Sequence, residues 1–461
     1  MTSVCFYFQV HQPVRLKSFS FFQIGTDHQY EAVDVNFGIL NRVADKCYLP
    51  ANNKILELIE KTGGKFKASF SITGTVLEQL EAFRPDVIAS FKALADTGCV
   101  EFMAETYYHS LAYLFSAEEF ERQVKMHTDK VKKLFGVTPT TFRNTELVYS
   151  NKVAATVKKM GYKAILAEGV DRNLGGLPPT TVFRAEGTPL MKVLLRHYRL
   201  SDDIAFRFSD KGWSEYPLLA PRFANWLHNM KEEGADTINL FLDYETFGEH
   251  RAAETGIFQF LTYLPAEVLK DPDFDFATPS EIVAKYPHEH LYNCPEVTTW
   301  ADEERDLTGW LDNNMQKDAI TKIYALEKKV KADGTPELAD TWAKLQTSDH
   351  FYYMSTKYWE DGVRQAFSPY KSPYDAYINY MNVLSDFEAL VEEISAVVPK
   401  TPGAIAAMSK PAETGEAAAP AAEAPVKKAK APSKAKAEEA SNTPAPKAEP
   451  AKKAPAKKAA K

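Results

Sequence analysis

The chain has 461 residues, 45% of them hydrophobic, 25% charged and 12% aromatic, with a formal net charge of −7. That length can bury the core of one large α/β domain plus a smaller unit, and no apolar run reaches the roughly 18–20 residues of a membrane span. From Lys400 onward 13 lysines face 6 glutamates, a net +7 that leaves −14 for the rest, so an acidic globular body with a basic tail is expected. The four cysteines, Cys5, Cys47, Cys99 and Cys294, are far apart and form no CxxC pair, which argues against a disulfide framework or a cysteine metal cluster. Met1 leads into Val4-Cys5-Phe6-Tyr7-Phe8-Gln9-Val10 without a basic n-region, so a cytoplasmic protein is expected.

Along the chain, β-like runs lie near residues 3–10, 66–73, 100–106, 140–148, 163–168, 191–198 and 237–244. Helical periodicity separates several of them, at Ile55 to Lys61, Pro85 to Ala95 and Ser116 to Phe135. Ser116 and Glu119 have the spacing of a capping box. Alternating strands and helices predict a parallel sheet, and seven such units predict a barrel. After about residue 300 strand signals stop, and Leu307 to Lys331, Glu337 to Gln346 and Tyr374 to Val397 read as helices. Beyond Pro399 the sequence is almost entirely Ala, Lys, Pro and Glu, too poor in apolar groups to offset its ordering entropy. The expected organisation is therefore a catalytic barrel over 1–299, a helical region over 300–398 that completes the active-site cleft, and a disordered tail over 399–461.

Two apolar runs end in carboxylates. One is Thr141-Phe142-Arg143-Asn144-Thr145-Glu146, and the other is Leu240-Phe241-Leu242-Asp243-Tyr244-Glu245. A carboxylate beside a buried strand is costly unless paired or used. At the C-terminal ends of parallel strands such groups converge on one mouth, where two facing carboxyls can cleave a glycosidic bond. Arg143 and Asn144 are possible partners that keep Glu146 ionised. Asp243 and Glu245 are two apart, so on a strand they share a face, and Glu245 would push the Asp243 acid upward.

These segments stand in an order that resembles family 57 of the glycoside hydrolases, the α-amylase and 4-α-glucanotransferase family. His11-Gln12-Pro13 follows the first strand and Gly74-Thr75-Val76-Leu77-Glu78 the second. Asn144 to Leu147, Asp243 to His250 and Gln346 to Phe351 then follow in turn. Trp300 to Leu307 is similar to the bacterial α-amylase-like branch, and the likeness spans roughly residues 1–390. It implies an incomplete (β/α)7 TIM-like barrel followed by a helical region. It also implies a retaining mechanism with Glu146 as nucleophile and Asp243 as general acid/base. Retention requires the two carboxyls about 5–5.5 Å apart. His11, Gln12, Glu78, Glu105, His109, Glu245, Trp300 and Asp349 are candidate substrate-binding groups, with Trp300 able to stack on a glucose ring.

No cofactor and no metal are expected. His288-Glu289-His290 and Gly248-Glu249-His250 lack HExxH spacing, and no Asp stands two residues after His11. Gly63-Gly64 and Gly175-Gly176 lack the phosphate-loop and GxGxxG patterns. The tail lacks an aromatic or Arg cluster, so nucleic acid is not an expected partner. Arg196 to Asp203 carries charges that either line the mouth or pair locally. The reading is an α-amylase acting on α-1,4-glucan or maltooligosaccharides. Its alternatives are a 4-α-glucanotransferase and a non-catalytic glucan-binding scaffold. Truncation from Lys400 onward is expected to leave melting temperature and activity on short maltooligosaccharides unchanged, and a loss of several degrees in calorimetry would show instead that the tail packs on the body.

Overall fold

The structure, a computed structural model, describes residues 1–397 apart from 288–289, 334 and 363. Its strands in chain order are β1 (Thr2–Val10), β2 (Ala68–Ile72), β3 (Val100–Phe102), β4 (Thr141–Arg143), β5 (Ala164–Glu168), β6 (Phe183–Ala185), β7 (Lys192–Arg196), β8 (Thr237–Asp243), β9 (Phe274–Phe276) and β10 (His290–Tyr292). One sheet runs β3-β2-β1-β8, with β9 on the first residues of β1, and the other runs β10-β6-β7-β5-β4. Every pair is parallel except β6–β7. The sheets join at a parallel bridge between Ala104 and Phe142, and at His197, whose N–H donates to the Asn239 carbonyl at 2.9 Å. β1, β2, β3, β4, β5, β7 and β8 thus form the expected incomplete barrel.

The strands are apolar on both faces, as parallel strands covered by helices must be. On β1, Cys5 and Tyr7 turn inward to meet Met103, Leu166, Leu194 and Phe241. The alternate residues Val4, Phe6, Phe8 and Val10 pack outward with Leu40, Ile55 and Leu261 of the surrounding helices. The runs expected over 100–106 and 140–148 stop early, at Phe102 and Arg143. There the chain exchanges ladder bonds for side-chain ones, such as the Thr106–Thr145 hydroxyl pair at 2.6 Å. The strands absent from the sequence reading, β6, β9 and β10, have three residues each, too few for a period to register.

The helix at Ala117–Phe135 begins as expected, with the Glu119 N–H donating to Ser116 Oγ at 3.1 Å. The Glu119 carboxylate does not close a capping box; it binds Arg122 and Gln123. The expected helix over Leu307 to Lys331 is three helices, Thr308–Leu311, Asn314–Ala325 and Glu327–Asp333. Asn313 and Gln316 cap each other reciprocally and restart the chain at that point. Trp310, Ile320, Trp342 and Phe387 of this region share one apolar cluster with Phe142, Ile165 and Val193 on the outer face of β4, β5 and β7. That packing brings the short helix Ser348–Tyr352 to the mouth, where the Ser348 N–H donates to the His109 carbonyl at 2.9 Å.

Among the described residues no helix is long and apolar enough to cross a membrane. The expected tail at 399–461 and the His288-Glu289 pair lie outside the described residues.

The turn after β8 leaves no room for a side chain. Gly248 has φ of +111°, and a Cβ there would lie 1.9 Å from the Lys46 carbonyl oxygen. Gly248→Ala is expected to cost ~1–3 kcal/mol and several degrees of melting temperature, and to slow turnover because the displaced turn follows Asp243. A variant with the melting temperature and rate of the parent would contradict this account.

Candidate active site

Glu146 stands just past β4, on a tight turn at Thr145–Leu147. Its φ is +56° and that of Leu147 is +52°, a left-handed conformation that costs roughly 1–2 kcal/mol per residue for L-amino acids. Asn144 holds the turn: its Oδ1 accepts from the Thr145 N–H and its Nδ2 donates to the Val148 carbonyl, both at 3.0 Å. From the helical side, the Trp300 N–H donates to the Glu146 carbonyl at 3.2 Å. The side chain is then gripped at both oxygens. His109 Nε2 bonds Oε1 at 2.8 Å, and Trp300 Nε1 donates to Oε2 at 2.7 Å. Burial alone would raise the Glu146 acid; the His109 bond and charge, Arg143 and Trp300 overcome it and hold the carboxylate below its usual range.

His109 is buried and also adopts a positive φ, +51°. Its Nδ1 faces Glu105 Oε2 at 3.6 Å, an ion-pair distance longer than a hydrogen bond. Burial opposes its charge, yet the two flanking carboxylates push its pKa up to about 9. Glu105 is fully buried behind it, accepting from Gln9 Nε2 at 3.3 Å on each oxygen. Despite its burial Glu105 stays below the usual carboxylate range, held there by His109, His127 and Arg143. Glu105 is enclosed behind His109 and has no exposed surface.

The ring of His11 stacks on that of His109 at 4.0 Å between centroids. Burial, then the neighbouring His109 charge, lower its pKa, so His11 is the neutral member of the pair. Its Nε2–H donates to Asp349 Oδ2 and its Nδ1 accepts from the Thr73 hydroxyl, both at 2.9 Å. Asp349 is held below the usual range against its burial, chiefly by His11. His11, His109 and Asp349 bring potential cation-ligand atoms within 4.8 Å of one another. His11 Nε2, Asp349 Oδ2 and His109 Nε2 are engaged in the hydrogen bonds just described.

Asp243 ends β8 and is half-buried. Among the described residues its carboxyl accepts no hydrogen bond. Burial raises its pKa and the Glu146 charge adds to the rise, against the pull of His250, Arg143 and Arg196. Glu245 does not share its face, because residues 244–246 leave the strand for a helical turn. Glu245 is buried and accepts from the Tyr48 hydroxyl at 2.5 Å. Burial pushes its pKa up to about 8, so at neutral pH it is largely uncharged. The Glu146 charge raises Asp243, while the expected repulsion between Asp243 and Glu245 adds to the rise of Glu245.

Other expected groups are engaged elsewhere. Gln12 is buried, with its Oε1 accepting from Arg15 at 3.1 Å and its carbonyl from Gln79 at 3.0 Å. Glu78 accepts from the Tyr107 hydroxyl at 2.7 Å. The charges of Arg196 to Asp203 pair locally: Arg196 binds Glu168 and Asp202, and Asp203 binds Arg207. Glu249 pairs with Arg42. Not foreseen were the Asn144 clamp and His127, which accepts from the Glu105 N–H at 3.3 Å. Asn144 lay in view beside Glu146, but nothing in the sequence marks His127 as a neighbour of Glu105. A cavity of about 370 Å³ lined by Leu219, Phe260 and Tyr263 shares no residue with this group.

The family model for Glycosyl hydrolase family 57 matches residues 5–295. A protein of Methanocaldococcus jannaschii named "Putative alpha-amylase" is 42% identical over 407 residues, covering 85% of each chain. A family 57 branching enzyme of Thermococcus kodakaraensis superposes with a TM-score of 0.61 at 16% identity, covering 85% of this chain and 90% of that one. The 4-alpha-glucanotransferase of Thermococcus litoralis gives 0.57 at 16% identity, over 76% of this chain and 56% of its own.

The His109 charge is also a stability statement. Its pKa is raised from 6.5 to about 9 on folding, so its contribution is fully present below about pH 6.5 and lost as pH rises through 9. An NMR titration should place the His109 midpoint near 9, and Glu146→Gln should lower it. A midpoint near 6.5 in the parent protein would remove the imidazolium from the site.

Proposed function

The chain belongs to glycosyl hydrolase family 57, and we propose that it is a retaining α-glucan-active glycoside hydrolase, an α-amylase cleaving α-1,4-glucosidic bonds. The observation that carries this reading is the opposite displacement of two carboxyls that feel each other's charge, Glu146 down and Asp243 up. Such a split assigns the ionised group to attack and the protonated one to acid catalysis. The name of the relative at 42% identity supports the substrate class.

In the first step Glu146 attacks the anomeric carbon from the β face while Asp243 protonates the departing glycosidic oxygen. The resulting β-glucosyl ester on Glu146 is resolved from the opposite face by water, which gives its proton to Asp243, and the α configuration returns. His109 keeps Glu146 ionised for the attack and receives it back as a carboxylate when the ester is resolved. His11 and Asp349 line the same mouth; we assign the sugar hydroxyls to the Asp349 carboxylate, which His11 orients. We further propose that residues 300–398 complete the cleft begun by the barrel of residues 1–299, a reading supported by Trp300 on Glu146 and Asp349 on His11. The four free cysteines support a reducing, cytoplasmic setting.

Glu146→Gln should abolish turnover, and a fluorinated glucosyl donor should label Glu146 in the parent protein. Asp243→Asn should lose ~10²–10⁴-fold on maltooligosaccharides yet form the intermediate readily from a nitrophenyl glucoside, whose leaving group needs no proton. Azide should then release an α-glucosyl azide. A β-glucosyl azide would exchange the two roles, and equal losses on both substrates without rescue would dismiss Asp243. Longer chains among the products of maltooligosaccharide digestion would mark the glucanotransferase instead.

A further inference from the structure

We infer that Trp300 is a positioning residue for the nucleophile, acting through its indole N–H on one Glu146 oxygen, and that Arg143 backs the indole ring in addition to acting on Glu146 directly by its charge. The inference rests on the reading of Glu146 as nucleophile. Trp300 grips Glu146 twice, main chain to main chain at 3.2 Å and indole Nε1 to carboxylate Oε2 at 2.7 Å. With His109 on Oε1 at 2.8 Å, the two donors fix the carboxylate plane against rotation about its last torsion.

Arg143 explains why the indole is held there. Its guanidinium is completely buried, and Nε, Nη1 and Nη2 all lack a hydrogen-bond partner among the described residues. A buried cation so placed is expensive unless something else faces it. The Trp300 ring faces it, with its centre 4.9 Å from the guanidinium carbon, and the Glu105 and Glu146 carboxylates also feel its charge. The Arg196 guanidinium lies 5.7 Å from the same centre. Cations over an aromatic face are stabilised by its electron density; drawing on that density makes the N–H at the ring edge a stronger donor. The face turned to Arg143 is closed to a stacked glucose.

The loop that carries Trp300 is itself anchored. Thr298 exchanges two backbone hydrogen bonds of 2.9 Å with Tyr149, and the Arg305 guanidinium donates to the Trp300 carbonyl. Asp302, at φ of +56°, is held by buried Arg364 at 2.6 Å. The indole is therefore a fixed part of the nucleophile's seat.

Trp300→Phe keeps a ring that can stack and removes only the N–H. Glycosyl-enzyme formation from a fluorinated or nitrophenyl glucoside should slow roughly 10–100-fold, the range for a hydrogen bond to a charged group, with KM almost unchanged. Losing a donor that favours the carboxylate should also raise the Glu146 pKa, moving the acid limb of kcat/KM to higher pH. Arg143→Met should move that limb the same way, since it removes a charge that Glu146 feels directly, and the double variant should lose less than the product of the single losses because part of the Arg143 effect passes through the indole. A Trp300→Phe enzyme with raised KM but the parent's kcat and acid limb would make Trp300 a sugar platform and overturn the inference. Multiplicative losses would overturn the part assigned to Arg143. If Arg143→Met does not fold, Trp300→Phe alone decides. Labelling of a residue other than Glu146 in the parent protein would instead end the reading on which the inference rests.

Discussion

A protonated imidazole buried between two carboxylates is the interaction on which the rest of the site depends. His109 lies between Glu105 and Glu146, and removing its charge would leave two buried anions facing each other. The cost of burying one cation is offset by two ion pairs, and the chain of three groups is neutralised only in part. Arg143 supplies further positive charge without a hydrogen bond of its own. The consequences spread outward: Glu146 stays ionised, His11 is kept neutral by the charge stacked on it, and its Nε2–H is free to hold Asp349.

This arrangement is kept by backbone conformations that L-residues avoid. His109, Glu146 and Leu147 all have positive φ, and such strain persists where surrounding contacts over-determine it. Asn144 supplies two of these contacts, Trp300 two more, and the bridge between Ser110 and Thr347 ties the His109 segment to the helical region. Residues of the barrel strands and of the helical segment after residue 300 thus meet around Glu146 and hold it in place.

Two carboxyls near each other could both be raised or both lowered; here they part because their neighbours differ. Burial and cations act on both, but Glu146 is hydrogen-bonded to His109 and Trp300, whereas Asp243 accepts no hydrogen bond among the described residues and also feels the Glu146 charge. Glu245 shows a third outcome. One Tyr48 hydroxyl and deep burial leave it largely protonated, a structural group behind the turn that carries Asp243.

The sequence by itself determined the seven parallel strands, the helices between them and the carboxylates at the ends of β4 and β8, because each follows from local periodicity and an abrupt change from apolar to acidic residues. It also held the spacing of His11-Gln12-Pro13 and the segments after it. It could not rank those groups: Glu105, Gln12 and Glu78 looked as available as His109 and Asp349. Only the tertiary structure decided that Glu105 and Gln12 are sealed in, that residues 244–246 leave the strand, and that Trp300 bonds Glu146. The physical reason is distance along the chain. Trp300 meets Glu146 across 154 residues and Asp349 meets His11 across 338, and the protonation state of each group is set by these remote partners.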